Sequence, residues 1–184
     1  MKKSTLALAL AATLVAVGAG VASSAVTSYT TLPKCNGKFA TILSNSAIVH
    51  GTSLNDVIVV YGPGAHSVWG YQGADTICGS DGADAIWGGR GVDWIASGAG
   101  NDVIHGGDTG YLIDGGDYIQ AGDGNDEVYG DAGADEIHGN AGNDILQGGD
   151  DNDSLFGELG DDTLVGGAGT DFLNDSQGTN VKTQ

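Results

Sequence analysis

One aliphatic residue recurs at a nearly constant interval of nine along most of the chain. The series is Ile58, Val68, Ile77, Ile86, Ile95, Ile104, Ile119, Val128, Ile137, Leu146, Leu155, Leu164 and Leu173. Two other positions keep the same register: an aspartate two residues before each aliphatic, and a glycine four residues before it. Numbered with the aliphatic eighth, the units are 51–59, 61–69, 70–78, 79–87, 88–96, 97–105, 112–120, 121–129, 130–138, 139–147, 148–156, 157–165 and 166–174. Position six is Asp in twelve of these thirteen units, with His66 the exception; position four is Gly in eleven, with Leu54 and Asp151 the exceptions. A fixed period of this length marks a solenoid and excludes an ordinary globular core. Positions seven to nine predict a short strand whose middle side chain faces inward. The Gly-rich positions one to six predict a tight turn. Three-residue strands do not stand alone, but they stack in register as parallel ladders.

Charge adds a ligand to this picture. The 184 residues include 34 Gly, 24 acidic and only 6 basic side chains, a formal net charge of −18. With no basic patch to neutralise phosphates, nucleic acid is excluded as a partner. A column of carboxylates at a fixed repeat repels itself unless cations lie between its members. Thirteen aliphatic side chains are also a thin core for a repeat region of this length.

The unit, as in Gly79-Ser80-Asp81-Gly82-Ala83-Asp84-Ala85-Ile86-Trp87 or Gly166-Gly167-Ala168-Gly169-Thr170-Asp171-Phe172-Leu173-Asn174, resembles the RTX, or hemolysin-type, calcium-binding nonapeptide repeat G-G-x-G-x-D-x-U-x. The resemblance covers residues 51–174. It implies an all-β fold, a right-handed parallel β-roll (a β-helix solenoid) with two nonapeptides per coil. It also implies calcium between turns stacked on the same edge. Carried over, the metal-binding residues are Asp75, Asp84, Asp93, Asp102, Asp117, Asp126, Asp135, Asp144, Asp153, Asp162 and Asp171. Each pairs with the Asp two units on, and backbone carbonyls complete the six to eight oxygens that calcium prefers. Magnesium suits such a site less well, because it demands tighter octahedral geometry. Seven pairs lie within the two regular blocks and two more span the gap between them, giving about seven to nine ions. Binding energy then becomes folding energy, and the metal-free chain is expected to be largely unfolded.

The ends and the irregularities divide the chain further. Met1-Lys2-Lys3, the apolar stretch Leu6 to Val17 and the small residues Ala22-Ser23-Ser24-Ala25 read as a secretory signal over 1–25. This predicts an extracellular protein with no membrane span. Residues 26–50 read as an N-terminal cap, and 175–184 as a short polar tail. In an exported chain the two cysteines, Cys35 and Cys78, favour a disulfide that clamps the cap to the first coils. The first two units are offset by one residue at Val60, and His66 is a poor calcium ligand, so this end is expected to hold little metal. Residues 106–111 form a six-residue insertion that either bulges from a continuous stack or splits it in two, the bulge being favoured.

No nucleophile, zinc or phosphate motif appears, so no enzyme activity is expected. The repeat itself accounts for the many carboxylate pairs. A second reading rests on position nine of alternate units, which runs Trp69, Trp87, His105, Tyr129, Gln147, Val165. That column is either a self-stabilising ladder, the favoured view, or a strip that binds polysaccharide on a calcium-supported adhesion module.

Overall fold

The computed structural model describes residues 33–107, 114–175, 177 and the backbone of 181–183. The signal expected over 1–25 lies outside them. In chain order the strands are β1 (Lys34–Cys35), β2 (Lys38–Phe39), β3 (Ile42–Ser44), β4 (Ile48–His50), β5 (Val57–Val60) and β6 (Ser67–Gln72). There follow β7 (Thr76–Cys78), β8 (Ala85–Arg90), β9 (Trp94–Ala99), β10 (Val103–His105), β11 (Tyr118–Asp123) and β12 (Glu127–Ala132). The last six are β13 (Glu136–Ala141), β14 (Ile145–Asp150), β15 (Ser154–Leu159), β16 (Thr163–Ala168), β17 (Phe172–Asn174) and β18 (Val181–Thr183). Among the described residues there is no helix, and so none long and apolar enough to cross a membrane.

From β3 onward successive strands alternate between two parallel eight-stranded sheets. One runs β3-β5-β7-β9-β11-β13-β15-β17 and the other β4-β6-β8-β10-β12-β14-β16-β18. The chain is therefore an all-β parallel solenoid of about seven turns, two nonapeptides to the coil. Position eight builds the interior. Ile77 pairs with Ile95, Ile95 with Ile119 and Ile119 with Ile137 in one sheet; Ile86, Ile104, Val128 and Leu146 follow one another in the other. All of these are 0 % exposed. They form a single apolar seam that begins at Val49 and takes in Leu164. The alternation of side chains along a strand leaves positions seven and nine on the outer faces.

Glycine serves two separate purposes in the turns. Position four has positive φ in most turns, as at Gly124 (142°), where an added Cβ would collide with the carbonyl of Gly100 in the preceding coil. Position two also has positive φ in most turns, even where it is not glycine: Tyr71, Asp131, Asn140 and Glu158. At position five, asparagines stitch the coils together. Asn101 Oδ1 accepts from Asn125 N–H, Asn125 Oδ1 from Asn143 N–H and Asn143 Oδ1 from Asp161 N–H.

The six-residue insertion does not divide the stack. β11 pairs directly with β9 and β12 with β10. Most of the insertion itself (108–111) falls outside the described residues. The N-terminal segment is more than a lid. Ile42 pairs with Ile58 and Val49 with Val68, so residues 42–50 supply the first coil. The β1–β2 hairpin lies against β5 and β7, where Cys35 is bonded to Cys78 across a Cα separation of 5.8 Å. Lys38 Nζ donates to Thr76 Oγ1 beneath it (2.8 Å). At the other end the segment read as a polar tail contributes β18, paired with β16.

Candidate metal centre

The position-six aspartates form two ladders, one along each edge where the chain passes from sheet to sheet. The first edge carries Asp56, Asp75, Asp93, Asp117, Asp135, Asp153 and Asp171. The second carries His66, Asp84, Asp102, Asp126, Asp144 and Asp162. All eleven residues expected to bind metal fall on these ladders, and ten of them are at most 2 % exposed; Asp171, in the last full turn, is half-buried.

Within a ladder each carboxylate uses one oxygen on protein. Oδ1 accepts from the backbone N–H of the position-six residue one coil earlier. On the first edge Asp56 N–H donates to Asp75, Asp75 to Asp93, Asp93 to Asp117, Asp117 to Asp135, Asp135 to Asp153 and Asp153 to Asp171, at 2.7–3.1 Å. On the second, His66 N–H donates to Asp84, Asp84 to Asp102, Asp102 to Asp126, Asp126 to Asp144 and Asp144 to Asp162, each at 2.8 Å.

The other oxygen sets the chemistry. Oδ2 of Asp75, Asp93, Asp102, Asp117, Asp126, Asp135, Asp144 and Asp153 is buried with no hydrogen-bond partner. Buried charged oxygens left in this state are strongly unfavourable unless a cation satisfies them. Six of them share a glycine pocket with a backbone carbonyl oxygen. A Cβ placed on Gly70 would lie within 3.0 Å of both Asp75 Oδ2 and the Gly88 carbonyl oxygen of the next coil. The same pairing recurs at Gly88 (Asp93 Oδ2, Gly106 O), Gly106 (Asp117 Oδ2, Gly130 O), Gly130 (Asp135 Oδ2, Gly148 O), Gly139 (Asp144 Oδ2, Gly157 O) and Gly148 (Asp153 Oδ2, Gly166 O), again within 3.0 Å. In these turns position one is glycine for space and not for φ: the missing side chain leaves a pocket into which a carboxylate and a carbonyl oxygen both point. Among the described residues no three His, Cys, Asp or Glu side chains are grouped to hold one ion. A site here combines carboxylate with carbonyl oxygens, the donor set of calcium and not of zinc.

Burial without a cation also shows in the proton affinities. Desolvation pushes the Asp117 carboxyl up to about 9; the Asp93 N–H opposes this, and the charges of Asp93, Asp135 and Asp114 add to it. Desolvation likewise lifts Asp93, Asp135 and Asp144 to about 7, and Asp75, Asp126 and Asp153 to about 6, in each case against one backbone hydrogen bond. Asp102 and Asp162 are raised for the same first reason. These are carboxylates held ready for a positive charge that the protein does not supply.

Two turns differ. Asp56 Oδ2 accepts from Thr52 N–H (2.7 Å) and Thr52 Oγ1 (2.8 Å). Asp84 Oδ2 accepts from Ser80 N–H (2.8 Å) and Ser80 Oγ (3.1 Å). His66 Nδ1 lies 3.0 Å from Asp84 Oδ1 and 3.1 Å from Ser80 Oγ. Thr52 and Ser80 both stand at position two and both lack the positive φ that most of the other turns show there. Their N–H therefore points at the carboxylate. A hydroxyl at position two is the sequence signal for this closure.

Two carboxylates outside the register join the ladders. Asp114 Oδ1 accepts from Gly91 and Gly115 N–H (2.8 Å each), while its Oδ2 is buried beside Gly107 and the Gly130 carbonyl that also faces Asp117. Asp175 brings its Oδ2 to the Gly157 pocket that Asp162 Oδ2 faces. Neither occupies position six, so periodicity alone does not reveal them.

The outer faces carry aromatic ladders. His50, Trp69, Trp87, His105 and Tyr129 stack on one sheet, with centroids 4.6–6.1 Å apart. Trp94, Tyr118, His138, Phe156 and Phe172 form a second series on the other sheet.

No characterised protein matches this chain. The signature of the RTX calcium-binding nonapeptide repeat does match, four times, over residues 62–86, 87–109, 113–146 and 138–173. Those spans cover most of the solenoid and carry both ladders, apart from Asp56, with their glycine pockets. With more than half its length so matched and its turns built to that pattern, the chain belongs to the RTX calcium-binding nonapeptide repeat family.

Proposed function

We propose that this protein is a secreted, non-enzymatic calcium binder whose solenoid folds as the ions bind. The observation that carries this reading is the six buried Oδ2 atoms without partners, of Asp75, Asp93, Asp117, Asp135, Asp144 and Asp153, each facing a carbonyl oxygen across a glycine pocket. Asp75, Asp93, Asp117, Asp135, Asp144 and Asp153 would hold the ions, with Asp114 adding a second carboxylate beside Asp117. Calcium supplies the positive charge that lets stacked carboxylates coexist, and the protein supplies oxygens held in register by the strand ladders. Extracellular fluid, where RTX repeat proteins typically act, suits weak sites of this kind, and the Cys35–Cys78 disulfide suits an oxidising compartment.

The polysaccharide reading draws no support from the ring geometry. Sugar stacks on open ring faces, whereas Trp69 and Trp87 lie 4.9 Å apart at an interplanar angle of 4° and cover one another. The ladder stabilises the sheet from outside.

Circular dichroism of the chain during a calcium titration tests the proposal. Cooperative gain of β signal with calcium, and not with equal magnesium, is expected. Full β signal in excess chelator at neutral pH would overturn it.

A further inference from the structure

The two edges of the solenoid are not equivalent. On the first edge position one is glycine in every coil from Gly70 to Gly166, because Gly106 takes the place that Leu112 would hold in strict register. On the second edge the corresponding residues are Gly79, Ser97, Ala121, Gly139 and Gly157. Ser97 and Ala121 are both 0 % exposed, so their side chains lie inside the edge. Each carries a Cβ where its neighbours leave a pocket. Ser97 goes further: its Oγ donates to the Ala121 carbonyl oxygen, the counterpart of the carbonyls that face Asp75 and Asp93. One coil earlier Ser80 and His66 already satisfy Asp84.

From these contacts we infer that calcium binding is lopsided, with protein groups replacing the ion at three consecutive turns of the second edge, those of Asp84, Asp102 and Asp126. The inference rests on the calcium reading above and narrows it. Five open pockets remain on the first edge, at Asp75, Asp93, Asp117, Asp135 and Asp153. On the second, Asp144 keeps a glycine pocket, and Asp162 shares one with Asp175. Six or seven ions are expected, below the nine that a continuous stack with equal edges would take. Asp102 and Asp126 keep a buried Oδ2 but lose the space beside it. The hydroxymethyl group of Ser97 and the methyl group of Ala121 are small additions to glycine, and each fills this space.

The test counts ions on the full chain by native mass spectrometry in calcium, with calorimetry in parallel. Ser97→Gly and Ala121→Gly each empty one pocket. Each variant is expected to bind one ion more than the parent, and the double variant two more. The complementary substitution Asp93→Asn, on the open edge, should remove one ion. A parent that binds eight or more ions, or glycine variants that fold and gain none, overturns the inference while the calcium reading stands. A parent that binds no calcium refutes that reading instead.

Discussion

Without calcium, acid should fold this protein and alkali should unfold it. Take Asp93, which burial lifts from 3.8 to about 7. A carboxyl that holds its proton more tightly folded than unfolded contributes stability that is fully present below the unfolded value. That stability is lost as pH rises through the folded one. For Asp93 the difference is roughly three units, or about 4 kcal/mol against the metal-free fold above pH 7. Asp135 and Asp144 are lifted to the same level, and Asp117 to about 9. Two such groups already reach the usual total stability of a domain, about 5–15 kcal/mol. The metal-free chain should therefore be largely unfolded at pH 8, beyond its N-terminal coils, and recover β-structure as pH falls between about 9 and 4. Calcium reverses the trend, because it binds the deprotonated groups: its midpoint should rise to higher concentration on acidification. Far-ultraviolet circular dichroism across this pH range, once with chelator and once with calcium, gives both curves. A chelator curve that is flat, or that loses β signal toward acid, would refute the reasoning, since it would mean that the ladders are not desolvated.

Other perturbations have definite expected outcomes. Asp135→Ala breaks the middle of the open edge and should raise the calcium midpoint roughly tenfold, equivalent to about 1.4 kcal/mol; Asp171→Ala in the last full turn should do less, and Asp56→Ala, whose Oδ2 already bonds to Thr52, least. Three titrations side by side check the order. Reducing Cys35–Cys78, which closes a 43-residue separation, should lower stability in saturating calcium by about 4 kcal/mol, read from urea unfolding. Asp151 holds φ at 79° at position four, where eleven of the thirteen units have glycine, so Asp151→Gly should raise stability by about 1 kcal/mol in the same assay.

The sequence discloses the interior almost completely. A solenoid repeats one environment, so the aliphatic at position eight meets the same neighbours in every coil, and Ile58 through Leu164 are buried as the period requires. Spacing also carries the aspartate ladders, and the even cysteine count the disulfide. The continuity of the stack past 106–111 needed coordinates, because a looped-out insertion and a break leave the same gap in sequence. The first coil was hidden for a different reason. Ile42 and Val49 pack like position eight, but no aspartate or glycine accompanies them in register. The second aromatic series escaped the repeat because it alternates between positions seven (Trp94, Tyr118, Phe172) and nine (His138, Phe156). The closed turns were legible only in retrospect: Thr52 and Ser80 mark them at position two, and Ser97 and Ala121 at position one.

The placement of the disulfide gives the stack a direction. Coils in a solenoid touch only their neighbours, so order spreads like a zipper from wherever it first appears. Starting in the middle means closing a coil with no template on either side. At the N-terminal end, a covalent link already ties β1 to β7, and Thr52, Ser80 and His66 complete Asp56 and Asp84 from within. The chain carries its own seed there, independent of metal supply. Calcium concentration then governs how far the zipper closes and not whether it can begin.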